Sequence, residues 1–153
     1  MVIIYCCYGG SHSSPVAAAI HIGQLARSKI PTKAELLSVP YYDQGDSLER
    51  GIVKPMGVDE YGNQVYICGR GSERRAIEQA VLSGIRLAGG NVEQVLFVNT
   101  LTAVNFWMRI GGFLSRKLKL VSLGRPLVVI GTLRAFPQLV KIVEQTKSSL
   151  TNG

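Results

Sequence analysis

The sequence predicts a single α/β domain of the doubly wound, three-layer type, with helices on both faces of a mainly parallel sheet. Its 153 residues, 46% of them hydrophobic, are enough for one domain with a sizeable core. Four apolar runs of strand length alternate with helical patterns, which favours four parallel strands. A short segment that precedes the second run across a glycine turn indicates a hairpin strand at or near the edge of the sheet. We assign residues 1–150 to this domain and expect residues 151–153 to fray.

The first half of the chain predicts a strand, two helices and a hairpin. In order, the segments are the strand Val2–Cys7, a helix over residues 15–27, a short helix near residues 32–37, a surface loop over residues 43–52, and hairpin arms over residues 56–60 and 64–68. Thr32 and Glu35 have the spacing of a capping box, which marks the start of the short helix. Gly62 lies between the two arms, where glycine permits a tight turn.

The second half predicts two more strands and three longer helices. In order, the segments are a helix over residues 73–88, the strand Val95–Val98, a helix over residues 103–118, a turn at residues 124–126, the strand Leu127–Ile130, and a helix that begins within residues 131–137 and ends near Ser149. Ser72 is the predicted cap of the first of these helices, and Gly89-Gly90 is its predicted end. Continuous apolar runs such as the two strands are typical of a buried parallel sheet.

The turn between the first strand and the first helix is the candidate binding site. Residues Tyr8–Ser14, here named the Gly-Ser corner, precede Pro15. Such a turn directs free backbone N–H groups and the positive end of a helix dipole at one point, where proteins often hold phosphate. The candidate anion ligands in the corner are Gly9, Gly10, Ser11, Ser13 and Ser14. The alternative is a simple turn in which Ser13 or Ser14 caps the helix and the proline occupies its first position.

Polar residues also follow the other predicted strands. These further candidate anion ligands are Arg70, Ser72, Thr100, Thr102, Thr132 and Arg134. Because the carboxyl ends of parallel strands meet at one edge of a sheet, we expect these residues to lie near the Gly-Ser corner. Glu73 is the only acid in these segments, whereas magnesium prefers several carboxylates. The edge therefore favours an anion, and neither a metal nor a cofactor is predicted.

Cys7 and His12 are the candidate catalytic residues. Cys7 ends the first strand at a helix N-terminus, where a thiol can become a nucleophile; the alternative is a small buried hydrophobe. His12 can act as an acid or base, or only donate a hydrogen bond. Cys6, Cys7 and Cys68 are odd in number and two are adjacent, so no disulfide framework is predicted. His21 has apolar neighbours, which favours a structural role.

The segment Cys7–Pro15 resembles the loop of low-molecular-weight tyrosine phosphatases and arsenate reductases. In those families a cysteine, five residues and an arginine precede Ser-Pro, on a four-stranded parallel sheet. The matching positions are Cys7, Gly9, Ser14 and Pro15. Ser13 stands where those families have the arginine, and the chain has no Asp-Pro dipeptide to serve as their general acid. The resemblance implies cysteine-based phosphoryl transfer. Because Arg70 and Arg134 are expected at the same sheet edge, either is a candidate replacement for the missing guanidinium.

The same segment resembles the B domains of bacterial sugar phosphotransferase systems. Those domains carry a phosphorylated cysteine in a loop of small residues and hydroxyls that contains no arginine. Cys7, Gly10, Ser13 and Ser14 fit that layout.

A wider resemblance covers nearly the whole chain. The segments Tyr8–Ser14, Asp59–Asn63 and Met108–Arg116 look like those of an uncharacterised family of spore-forming Gram-positive bacteria. The resemblance implies a cytoplasmic bacterial domain and no particular activity.

Positive charge gathers late in the chain, whose net charge is +7. The cluster consists of Arg109, Arg116, Lys117, Lys119 and Arg125, with Trp107 and Phe113 among them. We interpret it as the solvated side of a helix that packs its apolar side chains on the sheet; a nucleic-acid or membrane-surface patch is the alternative. No run of about 18 apolar residues occurs, so we predict no membrane partner. The start of the chain predicts no secretory signal, and hence a cytoplasmic location.

The leading functional prediction is binding of a phosphorylated small molecule or nucleotide at the Gly-Ser corner. Phosphoryl or phosphate-ester chemistry is an extension of this hypothesis, with transfer through Cys7 as the enzymatic alternative. The non-enzymatic alternative is a regulatory module whose basic helix meets nucleic acid or a protein.

Overall fold

The computed structural model describes residues 1–44, 49–116 and 121–151. The strands are β1 (Val2–Cys7), β2 (Val53–Val58), β3 (Gln64–Gly69) and β4 (Val95–Asn99), and the helices are α1 (Ser13–His21), α2 (Lys33–Leu37), α3 (Arg74–Leu87), α4 (Phe106–Arg116) and α5 (Val121–Thr151). Single 3-10 turns, Val92–Gln94 and Leu101–Ala103, flank β4. The α/β class is therefore confirmed.

The four strands form a mixed sheet in the order β2-β3-β1-β4. β1 is parallel to β3 and β4, while β2 is antiparallel to β3. The predicted mainly parallel sheet is wrong in this respect, and its doubly wound layering stays a prediction. In the register of the sheet, Cys6 lies beside Cys68 and Asn99, and Cys7 lies beside Gly69. The end of β1 is thus flanked by the ends of two parallel strands, as the site prediction requires.

The fourth predicted parallel strand, Leu127–Ile130, is a helical segment within α5. A short apolar run has the same composition in a buried strand and in a buried helix, so periodicity over four residues cannot separate them. The deciding pattern is longer, because buried residues recur every three or four positions: Val128, Thr132, Ala135, Leu139, Ile142, Val143 and Thr146. α5 also contains Pro126, which the prediction placed in a turn, and Pro137, which it placed at the start of the last helix.

α1 lies between the sheet and α5. All nine of its residues are buried, and small side chains such as Ala17, Ala18 and Ala19 permit that enclosure. Ile3 and Tyr5 of β1 pack in this core, whereas the alternate residues of β1 face a smaller cluster that half-buried side chains of α3 cover. The strand alternation therefore assigns successive β1 residues to opposite faces.

Local signals fix the start of α2 and the turn of the hairpin. The capping box is present: Thr32 Oγ1 accepts from the Glu35 N–H, and the Glu35 carboxylate accepts from the Thr32 N–H. Asp59 Oδ1 accepts from the N–H groups of Tyr61 and Asn63, which shapes the predicted hairpin turn. The hairpin and short-helix predictions are confirmed.

Several predicted boundaries change. α1 ends at His21 instead of residue 27, and Glu73, not Ser72, is the cap residue of α3. Thr151, expected to fray, belongs to α5. The end of the helix predicted over residues 103–118, part of the predicted loop, and residues 152–153 lie outside the described residues.

Gly124–Thr151 is long and apolar enough, by length and composition, to cross a membrane. Of its most apolar window, 56% is buried inside the domain, as in the core helix of a soluble protein.

Candidate functional site: the Gly-Ser corner

Backbone contact with β3 fixes the position of the Gly-Ser corner. Gly10 has φ +72°, and a Cβ there would lie 2.9 Å from the Gly69 backbone nitrogen. A Cβ on Gly69 would in turn lie 2.8 Å from the Gly9 carbonyl carbon. Both positions therefore require glycine. The close backbone contact at Gly10 is therefore with β3, the strand beside β1 in the sheet.

The thiol of Cys7 lies beneath the corner and receives two polar contacts. The Gly10 N–H donates to Sγ over 3.1 Å, and Ser14 Oγ also lies 3.1 Å from Sγ. Cys7 is 4% exposed, and Ser14 is fully buried in the first turn of α1. Donors at a helix N-terminus stabilise negative charge on a sulfur atom. Cys7 is therefore buried, as one sequence interpretation expects, and its sulfur contacts both the corner and α1.

The serines of the corner do not cap α1. The cap residue is His12, with φ −127° and ψ −82°, and no side chain makes a capping hydrogen bond. Capping by Ser13 or Ser14 is therefore wrong, because both residues already lie inside the helix. The N–H groups of Ser11 and His12, which precede the helix, donate to no other residue in the described part of the chain. The backbone at this end of α1 therefore has two N–H groups that can donate to a ligand or to water.

Ser13 has a structural partner across the sheet edge. Its Oγ lies 2.8 Å from Thr100 Oγ1, and Thr100 donates its own hydrogen to the Cys6 carbonyl 3.0 Å away. Ser13 is therefore the donor to Thr100. Both side chains are completely buried. The hydrogen bond links α1 to the residue that follows β4. It also buries the hydroxyls of Ser13 and Thr100, both of which were predicted ligands.

His12 forms a charged cluster with two residues that the sequence did not assign to the site. His12 Nε2 lies 3.2 Å from Asp43 Oδ1, and Arg125 Nε donates to Asp43 Oδ2 over 2.7 Å. Since a carboxylate only accepts, Nε2 carries the proton of the histidine ring. Burial raises the pKa of Asp43, but hydrogen bonds from His12 and Arg125 outweigh this and hold the pKa at about 2. The Asp43 N–H donates to the Ser11 carbonyl, so the corner and the cluster are one unit.

α4 and the loop after α2 close around the His12 ring. A Cβ on Gly112 would lie 3.3 Å from His12 Cε1, and the Tyr42 ring meets the imidazole edge-on at 6.1 Å. The Tyr42 hydroxyl donates to Thr132 Oγ1 over 2.8 Å. Thr132 is therefore an acceptor on α5. Its predicted place at the end of a strand is wrong, because the segment that precedes it is helical.

Arg70 is at the expected end of β3 but points to other partners. It is 4% exposed, pairs with Glu78 of α3, and donates from Nη2 to Asn99 Oδ1 over 3.1 Å. Arg134 lies on α5, where its guanidinium sits 5.5 Å from the centre of the Trp107 ring. Neither arginine takes the place of the one missing from the loop. Arg125 instead contacts Asp43, the carboxylate that also pairs with His12.

The two remaining predicted ligands, Ser72 and Thr102, are exposed. Neither makes a side-chain contact with the corner among the described residues. A cavity of about 10 Å³, sufficient for one water, separates Gly9 and Gly10 from Lys54 and Cys68. Within the described ranges, no three His, Cys, Asp or Glu side chains are placed to hold a metal ion.

Comparison with known proteins yields a family and no closer relative. Neither the curated proteins nor the solved structures include a match to this chain. A family model does match, over residues 2–148, which is nearly the whole chain and includes the Gly-Ser corner and its His12 cluster. The chain therefore belongs to the family described as Protein of unknown function (DUF3189).

Proposed function

We propose that the protein binds a phosphorylated small molecule or nucleotide, with a phosphate oxygen held above the Gly-Ser corner. The observation that carries the proposal is the pair of N–H groups on Ser11 and His12, which have no acceptor among the described residues at the positive end of α1. Paired amides at a helix N-terminus are a common phosphate-binding arrangement. No side chain caps α1, so no side-chain acceptor among the described residues occupies this end of the helix.

The side chains around the corner suit an anion. His12 uses Nε2 for Asp43, which leaves Nδ1 as the ring atom that can face a ligand. Arg50 is exposed and its guanidinium lies 4.9 Å from the centre of the Tyr8 ring, at the start of the corner. Arg125 adds a second guanidinium beyond Asp43, with its side chain 46% exposed. The cationic groups are thus peripheral, while the backbone supplies the direct donors.

Amide chemical shifts test the proposal directly. We expect inorganic phosphate, or a nucleoside monophosphate, to shift the Ser11 and His12 resonances in a saturable manner, because a new acceptor changes the environment of each N–H. Sodium chloride at equal ionic strength is the control for general salt effects. Ser11→Pro, which removes one donor, should weaken binding, whereas Ser72→Ala should not. Saturable binding that leaves both resonances unchanged would place the ligand elsewhere.

The contacts of Cys7 favour a second candidate, cysteine-based phosphoryl transfer. In this reaction the Cys7 sulfur attacks the phosphorus of a phosphate monoester, an S–P bond forms, and the P–O bond to the leaving group breaks. The leaving oxygen takes a proton from a general acid, for which His12 is the nearby candidate. Water then cleaves the S–P bond and releases inorganic phosphate. Gly10 and Ser14 would stabilise the negative sulfur that the first step consumes and the last step restores.

Substitution of the cysteine separates binding from transfer. Cys7→Ser should abolish hydrolysis of p-nitrophenyl phosphate and retain the amide shifts, whereas Cys68→Ser should retain both. Inorganic phosphate should also slow alkylation of Cys7 by iodoacetamide. Wild-type protein that shows the amide shifts but forms no phosphocysteine and no product would reject transfer while leaving the binding proposal standing.

A further inference from the structure

The outer face of α4 carries large apolar side chains of which half or more of the surface is exposed. Phe106 is 66% exposed and Phe113 is 50% exposed. With Arg109, Ile110 and Leu114 they line an open groove of about 350 Å³. The spacing of these residues, three or four apart, places them on one side of the helix. An exposed apolar strip of this kind marks an interaction surface.

Small residues, not large ones, make the contact between α4 and α5. A Cβ on Gly111 would lie 2.6 Å from the Val128 nitrogen and 2.8 Å from the Gly124 carbonyl oxygen. Met108, on the same side of α4, is 2% exposed. A helix of a globular domain usually turns its bulky apolar side chains toward the core. In α4, Phe106 and Phe113 instead lie on the outer face, contrary to the sequence interpretation that Phe113 packs on the sheet.

The whole excess of positive charge lies on the same part of the chain. Residues 95–143 contain no Asp or Glu. Their basic residues are Arg109, Arg116, Lys117, Lys119, Arg125, Arg134 and Lys141. These seven account for the net charge of +7, since the other residues have ten basic and ten acidic side chains. The exposed apolar strip therefore lies within a segment whose charge no carboxylate of the same segment offsets.

We propose that the outer face of α4 binds the surface of an anionic phospholipid bilayer. Aromatic and aliphatic side chains enter the boundary between headgroups and acyl chains, while Arg109 among them and the net positive charge of the protein attract the anionic headgroups. The sequence predicted no membrane partner because it contains no obvious span, but a helix that lies in the interface needs none. Trp107, 39% exposed beneath Arg134, lies at the margin of the surface.

The charge and the exposed apolar area of this surface together favour an anionic bilayer over the other possible partners. A second copy of the chain would bring two segments of charge +7 together, which Coulomb repulsion opposes. A nucleic acid would satisfy the basic residues but would leave the exposed Phe106 and the neighbouring Ile110 in contact with water or charged phosphates. An anionic bilayer satisfies both sets at once.

Vesicle binding by the full chain tests the proposal. We expect co-sedimentation with vesicles of phosphatidylcholine and phosphatidylglycerol, weak binding to phosphatidylcholine alone, and loss of binding at high salt. The single tryptophan, Trp107, should shift to shorter emission wavelength on binding, because its surroundings become less polar. The double variant Phe106→Ser/Phe113→Ser should bind at least about tenfold more weakly, given the apolar area of two aromatic side chains.

Leu87→Ser is the matched control, because Leu87 is an apolar residue of α3 that is 89% exposed and lies outside the proposed surface. This variant should bind as tightly as the wild type, and thermal unfolding should show that every variant folds. Equal binding of both lipid mixtures, or no loss in the double variant, would overturn the proposal. So would a wild-type dimer that the double variant dissociates, or RNA binding that the double variant abolishes while vesicles are ignored.

Discussion

Ser14 Oγ lies 3.1 Å from Cys7 Sγ, although seven residues separate them in the chain. The contact places a hydroxyl from the first turn of α1 on the sulfur at the end of β1. The Gly10 N–H approaches the same sulfur from the Gly-Ser corner. The thiol is therefore held by a helix, a strand and the turn that joins them.

Removal of the Ser14 hydroxyl should slow the reaction of Cys7. We expect Ser14→Ala to lower the rate of alkylation by iodoacetamide at neutral pH about three- to tenfold, because a donor to the negative sulfur is lost. The variant should also lose about 1 kcal/mol of stability with its buried hydrogen bond. Mass spectrometry of the alkylated Cys7 peptide measures the rate. Ser72→Ala, at an exposed serine, is the control, and an equal slowing there would contradict the assignment.

Asp43 should stabilise the protein in a pH-dependent manner. Its pKa in the folded protein, about 2, lies below the ordinary 3.8. The contribution is therefore complete above about pH 4 and is lost as the pH falls through 2. Asp43→Asn should cost ~2 kcal/mol at pH 7, with Arg125 and His12 left without their carboxylate.

Urea denaturation at pH 7 and pH 2.5 measures the effect of Asp43→Asn. The difference from the wild type should shrink at the lower pH. Glu93→Gln, at an exposed carboxylate of the 3-10 turn before β4, should show little change at either pH. A cost for Asp43→Asn that does not depend on pH would mean that packing, not charge, dominates this position.

His21 should destabilise the protein as the pH falls below neutrality. The Tyr5 hydroxyl lies 2.7 Å from its Nδ1, and Asp59 Oδ2 lies 3.0 Å from its Nε2. Burial lowers the pKa of His21, and the hydrogen bond to Asp59 only partly opposes this. A histidine whose folded pKa is lowered binds its proton more readily when unfolded, so stability declines as the pH falls through about 6.5.

His21→Gln should therefore be less stable at pH 7, since its buried partners Tyr5 and Asp59 lose the imidazole, but its stability should vary less between pH 7 and pH 5. Thermal unfolding over this pH range provides the test. A pH profile as steep as that of the wild type would assign the acid sensitivity to another group.

Gly111 and Gly84 offer a matched pair of helix glycines. Gly111→Ala should destabilise the protein by about 1–3 kcal/mol, because its Cβ would meet the backbone of α5. Gly84→Ala, in α3 with nothing within 4 Å, should instead stabilise it by about 0.5–1 kcal/mol through helix propensity. Chemical denaturation of both variants tests the close packing of α4 on α5. Stabilisation by both substitutions would show that the helices do not approach so closely.

Local patterns in the sequence predicted the elements that local interactions build. Val2–Cys7, the hairpin and the capping box at Thr32 are confirmed, because an apolar run of strand length, a glycine turn and a spacing of three residues determine them. Leu127–Ile130 was assigned wrongly, since its helical state depends on burial along the whole of α5. A pattern over four residues contains no such information.

The candidate site divides in the same way. The position of the corner followed from residues 5–15 alone, whereas its polar partners come from far along the chain. Arg125 reaches Asp43 across 82 positions, and Thr100 reaches Ser13 across 87. The signal for Asp43 was its position directly after Pro40-Tyr41-Tyr42, where Tyr41 and Asp43 adopt positive φ angles of 63° and 51°. Non-glycine residues in that conformation indicate a constrained loop, which only coordinates can show.

Complete enclosure of α1 has a consequence for how the corner moves. A helix whose nine residues are all shielded cannot open without disturbing the sheet and α5 together. Its amide hydrogens should exchange with deuterium only through global unfolding, while those of Ser11 and His12 exchange quickly. The Ser11 and His12 N–H groups are then attached to a rigid helix and are already in place before a ligand binds. Binding would therefore cost little conformational entropy.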